Sequence, residues 1–147
     1  MEQVLSKELI CLDAEAESKE AVIRLLADRL DRAGRLTDKE EYIRQVFKRE
    51  ETYATGVGFS VATPHAKTDA VKAASVAFAR LKKEIYWDEE DNVTMIFQLA
   101  VPETGAGDRH LQILAALSRK LIDDDFREQI QMAETPEEIL ALVGEQL

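Results

Sequence analysis

Two histidines carry most of the nucleophilic chemistry that this sequence of 147 residues offers. His65 follows Pro64 in the stretch GVGFSVATPHAKTDAV, residues 56–71, and His110 lies in DRHLQILAALSRKL, residues 108–121. An imidazole with its ordinary pKa near 6.5 is mostly neutral at pH 7, with a lone pair on one ring nitrogen. That is the state required of a nucleophile toward phosphorus or of a metal ligand. A histidine ordered in a turn by hydrogen bonds is the plainer reading of the same Pro-His pair. His110 falls where a helix is expected to start, and there the helix dipole opposes a positive charge and favours a neutral ring that donates to an oxyanion. A partly buried core histidine on an apolar stripe fits its spacing equally well.

Other chemistries fit less well. The two histidines are not an i, i+4 pair, and neither HExxH nor CxxC occurs. A metal site would need a third ligand from Asp69, Asp108 or Glu50, so zinc is disfavoured and no cofactor is expected. No GxSxG surrounds Ser60 or Ser118, which leaves a hydrolase triad without its nucleophile turn. Gly56-Val57-Gly58 precedes a strand signal and does not open a helix, so it is not a dinucleotide fingerprint.

Several elements must position these side chains. SKEAVIRLLADRLDRAG predicts a helix with Val22, Leu26, Leu30 and Ala33 on one face, Ser18 as cap and Gly34 at its end. TDKEEYIRQVFKRE predicts a second, opened by a capping box of Thr37 and Glu40. Apolar runs at 59–63, 75–81 and 93–101 read as strands, and runs apolar on both faces indicate a covered sheet. Pro64 should end the first of them, which would place His65 at a strand's carboxyl end, where open α/β sheets hold ligands. Two C-terminal helices are expected, one with Asp108 as cap and His110, Leu114, Leu117 and Leu121 on a stripe, and one with Thr135, Pro136 and Glu138 at its start. Helices on both sides of a strand-rich middle predict an α/β layered fold.

Composition sets the surroundings. Twenty-nine acidic against nineteen basic side chains give a formal net charge of −10, which repels nucleic acid and anionic lipid surfaces and suits either a basic partner or a plain solvated surface. The single cysteine, Cys11, cannot form an internal disulfide, and no apolar run approaches the roughly 20 residues of a membrane span. One domain over residues 1–147, without membrane insertion and in the cytoplasm, is the expectation.

Taken together, EETYATGVGFSVATPHAKTDAV and DRHLQILAALSRKL resemble the enzyme IIA proteins of the bacterial phosphoenolpyruvate:sugar phosphotransferase system, fructose/mannitol class. The family pattern is met by Glu50, Val57, Gly58, Val61, Ala62, Pro64, His65 and Ala66. Thr63 departs from it, standing where a branched aliphatic residue is usual, so local packing or a new hydrogen bond is expected to differ there. The resemblance implies a single mixed sheet of about five strands flanked by helices. It also implies that His65 accepts a phosphoryl group from phospho-HPr and passes it to a cysteine of enzyme IIB, which works with its IIC permease. His110 and Arg49 match the family positions that would stabilise the phosphoryl group; Arg49 on its own reads as a solvated cation at a helix end. Cys11 lacks a glycine-rich loop and does not read as the IIB acceptor. HAKTDAV resembles the fructose branch more than the mannitol branch. The alternatives are a regulatory relative of the nitrogen-linked IIA type and, outside the family, a small metal-binding hydrolase.

Overall fold

A computed structural model describes residues 4–89, 92–104, 109–144 and 147, with the side chains of Arg109 and His110 outside the description. After a short 3-10 turn at Lys7–Leu9 the chain forms β1 (Ile10–Ala14), α1 (Lys19–Arg32), α2 (Lys39–Thr52), β2 (Gly56–Gly58), β3 (Val61–Ala62), β4 (His65–Thr68), β5 (Ser75–Tyr86), β6 (Asn92–Pro102), α3 (Arg109–Leu121), α4 (Asp124–Met132) and α5 (Pro136–Gly144). The described residues form a mixed sheet of six strands flanked by five helices, one strand more than expected.

Local chemistry sets the helix ends. The Ser18 hydroxyl accepts from the Ala21 N–H at the start of α1. At the other end Gly34 takes φ +76°, the Gly34 N–H reaches the Asp31 carbonyl, and the Arg35 N–H reaches the Leu30 carbonyl. That pair of bonds closes a helix through a left-handed residue, where glycine has no Cβ to clash. The expected Thr37 cap for α2 is displaced by one residue: Asp38 accepts from the Glu41 N–H, and the Thr37 hydroxyl donates to the Asp69 carbonyl. An ionised carboxylate is the stronger acceptor at a helix N-terminus. Thr135 accepts from the Glu138 N–H as expected, and Glu138 accepts in turn from the Glu134 N–H. The candidate cap Asp108 lies outside the described residues.

The strand order is β1-β5-β6-β3-β2, and β4 also pairs with β6. β5 and β6 are antiparallel, while β1 runs parallel to β5 and both β3 and β4 run parallel to β6. Seven consecutive residues of β5, Ser75–Leu81, are buried, as are Met95–Val101 of β6, so both faces of the central sheet are covered. Phe78 and Phe97 pair across that core with ring centroids 4.8 Å apart. Burying such an aromatic side chain stabilises by about 1.5–3 kcal/mol.

One expected strand is redrawn. Phe59 and Ser60 take φ +57° and +64°, so residues 59–63 are a left-handed turn followed by the two-residue β3. Val61 pairs with Met95 and His65 with Leu99, one constant register, so β3 and β4 are a single line of chain along β6. Pro64 has no N–H to give the ladder, yet its carbonyl accepts from the Leu99 N–H at 2.9 Å and keeps the line in place. His65 therefore starts a strand in mid-line and does not stand at a carboxyl end. Among the described residues no helix is long and apolar enough to cross a membrane.

Candidate functional site

The break at Pro64 is bracketed by hydrogen bonds that converge on His65. The Thr63 N–H donates to the Thr55 carbonyl at 3.0 Å, and the Thr63 hydroxyl donates to the same oxygen at 3.4 Å. The threonine that departs from the family pattern thus adds a second bond to a loop that the main chain already holds. Beyond it, His65 Nδ1 lies 2.9 Å from the Thr63 carbonyl oxygen. A carbonyl only accepts, so in the neutral ring Nδ1 carries the hydrogen and the lone pair belongs to Nε2.

The loop is anchored in turn by Glu50, 8% exposed near the end of α2. Its carboxylate accepts from the Thr55 N–H, at 3.2 and 3.3 Å to its two oxygens, and from the Thr55 hydroxyl, and it pairs with Lys19 at 3.0 Å. Lys19 also lies 4.8 Å over the Trp87 ring. A buried carboxylate needs such partners, because an unpaired one would cost several kcal/mol (on the order of 3–5). Lys19, Glu50, Thr55, Thr63 and His65 therefore form one continuous chain of hydrogen bonds from the start of α1 to the imidazole.

Two turns earlier on α2, Tyr42 braces the ladder, its hydroxyl donating to the Leu99 carbonyl at 2.9 Å, and Leu99 is the β6 partner of His65. Tyr42 is fully buried, and burial pushes its phenol well above the ordinary value near 10, opposed by a hydrogen bond with Gln98.

Arg49, one residue before Glu50, turns the other way. Gln45, Lys48, Arg49 and Thr52 lie on one face of α2, and with His65, Ala66 and Lys67 of β4 they line a cleft of about 390 Å³. The Arg49 guanidinium is fixed there by a 2.9 Å bond from Nη1 to the Tyr53 carbonyl and by stacking 4.4 Å over the Tyr53 ring. The structure thus brings Arg49 and His65 to one cleft. The backbone of His110 lies in the first turn of α3; its side chain lies outside the described residues. The buried stripe of α3 runs through Ile113, Leu117 and Leu121, with Leu114 at its half-buried edge.

Lys48 and Lys67 line the same cleft and were not among the expected site residues. Alternation along β4 places residue 67 on the face of residue 65, and that period was the available signal. Asp69, a candidate ligand, lies instead in an adjoining hollow with Asp38, Glu41 and Glu103. Among the described residues no group of three His, Cys, Asp or Glu side chains converges to hold a metal ion. Phe59, an apolar residue near the motif, lies in the left-handed turn before β3, with Arg127 of α4 stacked 3.9 Å over its ring. Cys11 lies in β1, where Arg29 Nη2 approaches its sulfur at 3.6 Å.

With this geometry in place, comparisons locate the chain among known proteins. The family model "Phosphoenolpyruvate-dependent sugar phosphotransferase system, EIIA 2" matches residues 3–146. The PTS system fructose-specific EIIA component of Haloferax volcanii is 41% identical over 140 residues, covering 94% of this chain and 90% of that protein. The PTS system 2-O-alpha-mannosyl-D-glycerate-specific EIIABC component of Escherichia coli is 37% identical over 142 residues, covering 95% of this chain; the chain spans 22% of that relative's length. Among solved structures, the nitrogen regulatory protein IIA-Ntr from Neisseria meningitidis superimposes with a TM-score of 0.86 at 31% identity, covering 95% of this chain and 96% of that one.

Proposed function

This chain belongs to the EIIA 2 family of the phosphoenolpyruvate-dependent sugar phosphotransferase system, and from that premise we propose that it is a phosphocarrier with His65 as its covalent relay. His65 takes a phosphoryl group from the phosphohistidine of HPr and hands it to a cysteine of enzyme IIB, which serves a IIC permease in sugar uptake. Relatives that carry A, B and C components in one chain support this order of partners.

Each half-reaction is a displacement at phosphorus. The Nε2 lone pair forms a bond to phosphorus while the donor's P–N bond breaks and its electron pair returns to the donor imidazole. In the second half a cysteine thiolate attacks, the new P–N bond breaks, and Nε2 recovers its pair. The Nδ1 bond to the Thr63 carbonyl supports this reading, because it aims the ring and stabilises the positive charge that develops as Nε2 is phosphorylated. Arg49 supplies a fixed cation toward the phosphoryl oxygens, and His110 acts as a donor to them. Carriers of similar phosphoryl potential require this stabilisation to be moderate, since a site that held the group tightly would not release it.

The observation that carries the proposal is the shared cleft of His65 and Arg49, with the imidazole tautomer set by Thr63. Its test is transfer: phosphorylated protein, freed of donor, is mixed with a IIB protein and the phosphate is followed. Loss of label from His65 with gain on the IIB cysteine is expected. A second reading is favoured by the likeness to a nitrogen regulatory IIA protein: phosphorylation of His65 then governs binding to a regulated partner and no permease is served. Capture of partners by His65→Asp and wild-type protein separates the two, since a transport component enriches IIB and a regulator enriches another protein.

A further inference from the structure

We propose that Lys67 binds the phosphoryl group directly, as a mobile cation facing the fixed Arg49 across the cleft. The assignment rests on the carrier reading above. His65 and Lys67 are two residues apart on β4, where burial alternates half-buried, buried, exposed, buried, so both side chains leave the sheet on the side of the cleft. Two strand rises separate them by about 7 Å, a gap that the flexible four-carbon stem of lysine spans when it bends toward the ring.

The charge distribution favours this role. The protein carries a formal net charge of −10, yet three cations, Lys48, Arg49 and Lys67, line a cleft that contains His65. Arg49 already spends one donor on the Tyr53 carbonyl, and a phosphoryl group brings close to two negative charges on three acceptor oxygens. Among the described residues no acceptor engages the Lys67 ammonium. Lys67 and Gln45 also wall the adjoining hollow, whose Asp38, Glu41, Asp69 and Glu103 repel an anion. Lys67 thus stands at the border between a basic and an acidic cavity, on the side where a phosphate would be confined. A flexible, strongly hydrated ammonium holds an anion less rigidly than a stacked guanidinium, which suits a group that must be passed on.

The test uses wild-type, Lys67→Gln and Lys67→Arg proteins, each phosphorylated by phosphoenolpyruvate, enzyme I and HPr. Two quantities are read: the single-turnover transfer rate at saturating HPr, and the pH midpoint at which the 31P resonance of the phosphohistidine titrates. Removing a cation that touches the phosphoryl oxygens disfavours their dianion, so the midpoint in Lys67→Gln moves up. The saturating rate falls about tenfold to a hundredfold, the equivalent of one charge-assisted hydrogen bond. Lys67→Arg keeps both values near wild type. An unchanged midpoint and saturating rate in Lys67→Gln overturn the assignment, as does a loss confined to the HPr concentration at half-saturation, which would make Lys67 a docking residue only. A wild-type chain that takes no phosphoryl group on His65 overturns the carrier reading and the assignment with it, an outcome distinct from a phosphorylated wild type that Lys67→Gln matches.

Discussion

The imidazole of His65 and the main-chain carbonyl of Thr63 form a 2.9 Å contact two residues apart, across Pro64. Because the partner is backbone, the Thr63 side chain is not needed for it. Thr63→Val restores the aliphatic residue usual in the family and removes only the long 3.4 Å hydroxyl bond to Thr55. Stability is expected to change by less than about 1 kcal/mol, and phosphorylation is expected at Nε2 in both proteins. Nitrogen and phosphorus NMR of the phosphorylated forms read the site; attachment at Nδ1 would refute the tautomer assigned here.

Thr55 is the more sensitive threonine. Its hydroxyl donates to the buried Glu50 carboxylate, and removing it strips a partner from a charge that is almost wholly shielded from water. Thr55→Val is expected to destabilise the fold by about 1–3 kcal/mol. For a chain of this size each kcal/mol lowers the melting temperature by roughly 2–4 °C. A calorimetric scan that matches wild type would remove Thr55 from the network.

On the proposed reading Arg49 serves the phosphoryl group and not the fold, since its guanidinium lies at the cleft wall. Arg49→Gln is expected to melt like wild type while transfer to IIB slows about tenfold to a hundredfold. Arg49→Lys should fall between them, because lysine retains the charge without the planar stack on Tyr53. Wild-type transfer rates in Arg49→Gln would return that residue to the status of a solvated cation.

Tyr42 gives an alkaline signature. Its folded-state pKa is raised above the unfolded value near 10, so the native state holds the phenolic proton more tightly than the unfolded chain. The associated stabilisation is complete below pH 10 and is lost as pH rises from there toward the folded value. Tyr42→Phe removes the bond to the Leu99 carbonyl, at a cost of about 1–3 kcal/mol at neutral pH, and removes this pH dependence too. The stability gap between the proteins should therefore narrow above pH 10 in denaturant titrations; a gap that stays constant to pH 11 would contradict the burial argument.

The parts of this fold written in local sequence were legible. Ser18 and Gly34 bracket α1, and the alternation from Val93 to Leu99 marks β6, because caps and period-2 patterns act over a few residues. α4 escaped notice, since its DDFREQIQM offers only Phe126 and Ile130 to an apolar stripe; the readable clue was Asp123, which caps it. The run at 59–63 misled because Phe59 and Ser60 adopt left-handed φ values that their side chains do not advertise. At the site, His65 stood out through Pro64 and the family pattern. The meeting of Arg49 with His65, and the Glu50–Thr55–Thr63 chain that orders the loop, depend on α2 packing across β4 and were beyond the reach of local spacing. Lys67 lay in plain view two residues after His65, but its meaning depends on the wall that α2 presents to it.

The central claim is tested most directly by intact mass and acid-lability of the purified protein after incubation with phosphoenolpyruvate, enzyme I and HPr. The account predicts one added phosphoryl group, lost on acid treatment, in wild type and none in a folded His65→Ala protein. An unmodified wild type beside demonstrably phosphorylated HPr, or an equal phosphate yield in His65→Ala, would contradict it.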